Sequence, residues 1–282
     1  MTRLGALALG LALTLSTQAL AQDGGTRESL LSVPGPSGTQ LNTRLCVPER
    51  AGAAPLVIVN HGSPGNAAAR AGMEPWRCTS GVARYFLRRG YTVAFPQRRG
   101  YGVSSGGWAE AYGSCTNPDY AAAGRRGAED IAAVLNHLRS LPGIARTGTL
   151  IIGHSAGGWA SIAFAARNPA GVSGVVNVAG GRGGQQPPGP GVVGSNCTPD
   201  ALVSGVRRFA SARVPTLWLY TRNDSFFAPE LAEAMFASFR AGGGNGRMVM
   251  LPAYGSDGHA LFSGGGEHVW GPPISSFMSG LR

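Results

Sequence analysis

Over 282 residues the chain carries 24 Lys+Arg, all of them arginine, against 14 Asp+Glu, for a formal net charge of +10. The arginines come in ones and twos (Arg88 and Arg89, Arg98 and Arg99, Arg125 and Arg126, Arg207 and Arg208) without the interleaved aromatics of a nucleic-acid groove. That pattern argues against a nucleic-acid partner and for a solvated basic surface.

At the N-terminus Arg3 precedes an apolar run through Leu15 that ends in Ala19, Leu20 and Ala21, the small-x-small pattern of a signal-peptidase site. Cleavage after Ala21 and a secreted or periplasmic destination are expected. Residues 22–282 then form one domain, a length that suits a single large α/β core. No later stretch approaches the roughly 20 apolar residues of a transmembrane helix. Two alternating stretches around PGPSG, within residues 29–48, predict an antiparallel hairpin at a sheet edge.

Continuous apolar runs follow, of the kind that fits strands buried on both faces. They are PLVIVNHG from Pro55, YTVAFP from Tyr91, TLIIGH from Thr149, SGVVNVAG from Ser173, PTLWLYTR from Pro215 and RMVMLP from Arg247. Helical stripes fall between them. Val82, Tyr85 and Phe86 share one face; Ile131, Val134, Leu135 and Leu138 fit the i, i+3, i+4, i+7 template; Leu231, Met235 and Phe239 form a third stripe opened by Pro229. Strand and helix in alternation predict an α/β fold with a mostly parallel sheet covered on both faces. Residues 61–77, 100–118 and 180–197 stand outside this rhythm. Each follows a strand's C-terminal end, where open α/β sheets bind ligands, so they are candidate pocket walls, the last a candidate lid.

Cys46, Cys78, Cys115 and Cys197 make an even count in a chain expected to be exported, which favours two disulfides with three possible connectivities. Their wide, irregular spacing argues against a metal site, and no cofactor is expected.

The stretch GHSAGG, residues 153–158, matches the nucleophile-elbow pattern between a buried strand and an Ala-rich helix. A serine hydroxyl needs a base, and the base needs a carboxylate to orient it. Of five histidines, His154 adjoins Ser155 and should leave the turn in another direction, His137 lies on a predicted helix, and His61 precedes the serine. His259, in AYGSDGHALF after the last predicted strand, is favoured over His268 near a Gly-rich run. Asp224, just past LWLY, suits the acid; Asp200 lies in the candidate lid, and Asp257 is expected to shape the histidine's loop. Backbone N–H groups of Ala156 and of Ser63, in HGSPG, are the expected oxyanion donors, so the Ser63 side chain is expected to be nearly silent. His61, Trp108, Tyr112, Trp159 and Phe226 are candidate pocket residues.

With HGSPG, RRGYGVSSGG, GHSAGGWA, YTRND followed by SFFAPEL, and GSDGHALF in that order, the chain resembles the α/β-hydrolases. More narrowly it resembles the dienelactone-hydrolase-like group of exported bacterial proteins. The resemblance implies a central sheet of about eight mostly parallel strands and a triad at Ser155, Asp224 and His259. Dienelactone hydrolases proper carry cysteine at the nucleophile position, where this chain has serine, so small-molecule carboxylic esters become the expected substrates. A prolyl-oligopeptidase-like peptidase, which usually carries a further large domain, and a non-catalytic binding protein are the competing readings.

Overall fold

The computed structural model describes residues 19–23, 25–49, 52–184 and 196–281. Residues 1–18 of the expected leader and 185–195 of the expected lid lie outside the described residues. The chain opens with β1 (Ala19–Asp23), which spans the expected cleavage junction, and β2 (Thr26–Pro34) and β3 (Gln40–Pro48). β2 and β3 pair antiparallel from Thr26 opposite Pro48 to Pro34 opposite Gln40, the predicted hairpin. There follow β4 (Leu56–Asn60), α1 (Ala67–Ala71), α2 (Gly81–Leu87) and β5 (Thr92–Pro96). A ribbon of β6 (Gly113–Ser114) and β7 (Asn117–Pro118) precedes α3 (Tyr120–Ser140). β8 (Thr149–His154), α4 (Ala156–Ala165), β9 (Val172–Val178), α5 (Pro199–Arg207) and β10 (Thr216–Thr221) come next. α6 (Pro229–Ala241), β11 (Gly246–Leu251) and α7 (Glu267–Ser279) complete the chain.

Among the described residues the main sheet holds nine strands in the order β1-β2-β3-β5-β4-β8-β9-β10-β11. β1 is the strand beyond the expected eight. Pairing is antiparallel as far as β5 and parallel from there to β11. The apolar runs are continuous because both faces are covered. On β8, Ile151 packs with α3 and α4, while Leu150 and Ile152 pack on the opposite face with α2 and α7. β10 repeats this, with Trp218 and Tyr220 on one side and Leu217 and Leu219 on the other. Each such side chain removed from water contributes about 1.5–3 kcal/mol.

Strand order reverses between β4 and β8, since β4 leads outward to β5 while β8 leads to β9 on the other side. A crevice opens at the C-terminal ends of strands at such a point. The loop after β4 and the turn after β8 both face it.

Four helices exceed the sequence expectation, the first being the short α1 within residues 61–77. α3 begins eleven residues before Ile131, because Gly124 and Gly127, which weaken a helix signal, are sites where α4 approaches closely: a Cβ on Gly127 would lie 2.7 Å from that of Ala160. α5 adds nine residues, Pro199 at its first turn and Leu202 and Val206 buried. α7 contains Pro272 and Pro273, which hide it in the sequence, yet Trp270, Ile274 and Phe277 anchor it under α2. The solvated-surface reading also needs correction: Arg98 and Arg182 are buried, at 0% and 4% exposure. Both are drawn inward by the Glu110 carboxylate.

The disulfides join Cys46 to Cys78 and Cys115 to Cys197. The first ties β3 to the segment before α2, closing a span of 32 residues. Loop-closure entropy at that length is worth about 3.7 kcal/mol. Replacing Cys46 and Cys78 together by alanine is expected to lower the unfolding free energy by that amount in urea titrations. A loss below about 1 kcal/mol would show that the crosslink constrains the unfolded chain little.

Candidate active site

The turn between β8 and α4 places Ser155 at φ 54°, ψ −122°, a strained left-handed conformation for a residue with a side chain. Small neighbours permit it. A Cβ on Gly153 would lie 2.1 Å from the Gly157 carbonyl oxygen, and one on Gly157 would lie 2.3 Å from that of Asn60. The backbone is pinned as well: Ser155 N–H donates to Val178 O at 3.0 Å, and Ser155 O accepts from Trp159 and Gly181 N–H at 3.1 and 3.2 Å. The Ser155 side chain is thus thrust out at the strand's C-terminal end, partly exposed.

Asp224 lies in the loop after β10 and is 4% exposed. Its Oδ1 accepts from Phe226 and Phe227 N–H at 2.9 and 3.0 Å. These bonds make an Asx-type turn, and α6 starts only at Pro229 with Ala228 at its N-cap position, so Asp224 does not cap it. Both Asp224 oxygens lie 3.1 Å from His259 Nδ1. A carboxylate can only accept, so Nδ1 holds the ring proton and Nε2 is left as an acceptor.

Two bridges set the histidine loop against the acid loop. Asp257 Oδ1 accepts from His259 and Ser225 N–H at 2.9 and 3.1 Å, and its Oδ2 accepts from the Ser225 hydroxyl at 2.6 Å. Asn223 pairs with the Tyr254 backbone through both ends of its amide. His154, set aside as a candidate base, has a placement that sequence reasoning missed. Its Nε2–H donates to His259 O at 2.8 Å, linking the elbow to the histidine loop. Burial, and then the neighbouring His259, hold the His154 pKa down at about 3.

The HGSPG loop lies against the elbow, since a Cβ on Gly62 would come within 3.2 Å of Ser155 Cβ. Ser63, Trp108, Tyr112, Ser155, Ala156 and Phe226 line one cleft of about 90 Å³. Phe227, next to Phe226, joins them, as do Arg70 and Arg182 from the segments 61–77 and 180–197 expected to wall the pocket. Two larger grooves, of about 620 and 500 Å³, border α2 and include neither Ser155 nor its neighbours. Phe226 also packs on the His259 ring at 4.4 Å between centroids.

Two pocket candidates lie elsewhere. Trp159 points from α4 into the core, 1% exposed, its Nε1–H donating to Tyr120 O at 2.7 Å and its ring against Phe209. A bulky apolar residue on a helix buried all round has nowhere else to go. His61 is turned behind the HGSPG loop, its Nδ1–H donating to Gly62 O at 2.7 Å and its Nε2 accepting from Arg98 N–H at 3.3 Å. Burial, and then the Arg98 charge, hold its pKa at about 3. His268 is exposed on α7, away from the cleft.

A family model described as the alpha/beta hydrolase fold matches residues 55–232. Among solved structures, acetyl xylan esterase 1 from Thermoanaerobacterium sp. JW/SL YS485 is similar at TM-score 0.65 and 16% identity, over 95% of this chain and 87% of that one. The Pyrococcus furiosus esterase Pf2001 is similar at TM-score 0.59 and 14% identity, over 89% of each chain. A Klebsiella pneumoniae protein designated a dienelactone hydrolase is similar at TM-score 0.53 and 18% identity, over 80% of this chain and 85% of that one. At such identities the likeness is one of fold. No curated protein matches the sequence.

The His154 placement has a measurable consequence for stability. Unfolded, this side chain titrates near 6.5, and folded near 3. Between those values the unfolded chain takes up a proton that the folded chain refuses, so acidification favours unfolding. Between pH 7 and pH 5 the wild type is expected to lose about 2 kcal/mol more stability than His154→Gln, which keeps an N–H donor but does not titrate. Equal pH dependence of the two in chemical unfolding would show that His154 is protonated within the fold.

Proposed function

The chain belongs to the α/β-hydrolase fold family, and from that premise we propose that it is a serine hydrolase cleaving small carboxylic esters through an acyl-enzyme. The observation that carries this reading is the Asp224–His259 pair, which leaves His259 Nε2 as an acceptor on a loop that His154 ties to the elbow, where the strained serine is partly exposed.

In this mechanism Ser155 Oγ attacks the ester carbonyl carbon as its proton passes to His259 Nε2. Asp224, fixed by two backbone N–H groups, holds the imidazolium that results. The carbonyl oxygen becomes an oxyanion facing the N–H groups of Ala156 and Ser63. Donors already in place stabilise that charge without reorganisation. The tetrahedral intermediate collapses, the C–O bond to the alcohol breaks, and His259 returns the proton to the departing oxygen. Water repeats the sequence: His259 takes one of its protons, the hydroxide oxygen adds to the acyl carbon, and Ser155 leaves with that proton.

The substrate's acyl part is proposed to be short. A cleft of about 90 Å³ has the room of about three water molecules. The naming of two structural neighbours as esterases supports the reaction class. Export is part of the proposal: two disulfides suit an oxidising compartment. Among the described residues, no helix is long and apolar enough to cross a membrane.

Hydrolysis of p-nitrophenyl esters from acetate to palmitate tests the reading. Turnover is expected to be highest for acetate to butyrate and to fall with chain length. Ser155→Ala is expected to lower kcat by at least about 10⁴, and Asp224→Asn by about 10⁴ through loss of the working tautomer. Turnover unchanged by Ser155→Ala would contradict the mechanism, and a preference for palmitate would contradict the short-acyl assignment.

A further inference from the structure

Behind the cleft lies a buried ionic cluster that the mechanism above does not use. Glu110, 1% exposed, comes from the loop between β5 and α3. Its Oε1 accepts from Arg98 Nε, its Oε2 from Arg182 Nη1 at 2.8 Å and from the Tyr101 hydroxyl at 3.0 Å, and its backbone oxygen from Arg182 Nη2. Burial alone would raise the Glu110 pKa, but Arg98 and then Arg182 outweigh it and hold the carboxyl down at about 2. A carboxylate is therefore present at any pH where the protein works.

That single charge orders the groups around it. The Tyr101 hydroxyl has one proton and two partners in reach, Ser63 Oγ at 2.9 Å and Glu110 Oε2 at 3.0 Å. Glu110 can only accept, so it takes the phenolic proton. The phenolic oxygen is left to accept from Trp108 Nε1–H at 2.9 Å and from the Ser63 hydroxyl, which lies nearer to it, at 2.9 Å, than to Pro64 O at 3.3 Å. On the other side Arg98, held by Glu110, donates from Nη2 to His61 O at 3.0 Å. Both ends of the His61-Gly62-Ser63 segment are thus tied to one carboxylate, as is the Trp108 wall.

We propose that Glu110 is a positioning residue for the Ser63 oxyanion donor, acting through Tyr101 on one end of the loop and Arg98 on the other. The inference rests on the esterase reading, since only there does the Ser63 N–H face developing charge. It also reverses the expectation that the Ser63 side chain is silent: its hydroxyl is the tether that orients its own peptide group. Because the donor works on the oxyanion and little on the bound ester, loosening it costs turnover and not substrate binding.

The experiment compares wild type with Tyr101→Phe, Ser63→Ala and the double variant on p-nitrophenyl acetate, with thermal melting and inhibition by an alkyl boronic acid. Each single variant is expected to lower kcat about tenfold with KM within about twofold, and to weaken the boronate, which mimics the tetrahedral state, by the same factor. The double variant is expected to be no worse than either single, because both cut one tether. Glu110→Gln is expected to exceed them in kcat loss and to melt lower, its two arginines left with one uncharged partner; where it does not fold, Tyr101→Phe decides. Wild-type kcat in Tyr101→Phe, or a lower melting temperature with unchanged kcat per folded molecule, overturns the proposal and leaves the esterase reading standing. A wild type without turnover on any ester overturns both.

Discussion

A residue with a Cβ held at φ 54°, ψ −122° costs about 1–3 kcal/mol, and a fold keeps such a conformation only where its surroundings leave no alternative. Around Ser155 they leave none. β8 is flanked on both sides by parallel strands and covered on both faces, so the strand cannot shift. α4 begins at the next residue and is buried all round, with Trp159 wedged into the core and capped by Tyr120 O. Gly153 and Gly157 let strand, helix and the end of β4 close to distances at which a side chain would collide. The turn is the join between two rigid elements, and its strain is carried by core packing remote from the serine's own hydroxyl.

The partners come from loops, which are softer, and the structure stiffens them by side-chain to backbone bonds. Asp224 is fixed by two N–H groups of its own turn, Asp257 ties that turn to the His259 loop, and His154 ties the His259 loop back to the elbow. Glu110 does the same for the opposite wall, through a charge-assisted bond from Tyr101 and ion pairs with both arginines. A buried Arg–Glu–Arg group is a poor source of stability, because desolvating three charges offsets most of their attraction. Its value lies in directionality, since hydrogen bonds to a charge fix where groups point. The Cys115–Cys197 crosslink adds a further restraint: it joins the loop before α3 to the residue beside Asn196, which itself donates to Arg182 O.

How legible this was depended on whether a signal is local in the chain. The strand-turn-helix run at TLIIGHSAGG is local, and so are the loops after the strands ending at Thr221 and Leu251, which is why Ser155, Asp224 and His259 could be proposed from order alone. Trp108, Tyr112 and Phe226 could be placed near the cleft because they follow strand ends. The pairing of Arg98, Glu110 and Arg182 could not be read: Glu110 and Arg182 fall in segments legible as pocket walls, but only the meeting of the loops after β5 and β9 buries the three charges together. Trp159 was misread because an aromatic one turn past a nucleophile looks the same whether it faces ligand or core. α7 was missed because a Pro-Pro step reads as a break, although packing under α2 overrides it. Disulfide pairing is set by distance in space, for which the spacing of four cysteines carries no signal.

The central proposal is that the fold makes Ser155, alone among the hydroxyls of the described residues, an activated nucleophile. The direct test is to treat the folded protein with a fluorophosphonate and locate the adduct by peptide mass spectrometry, with urea-unfolded protein alongside. The account predicts one adduct per chain, on Ser155, formed only in the folded state and much more slowly in Asp224→Asn. No adduct, or an adduct on another residue with Ser155 unmodified, would contradict it.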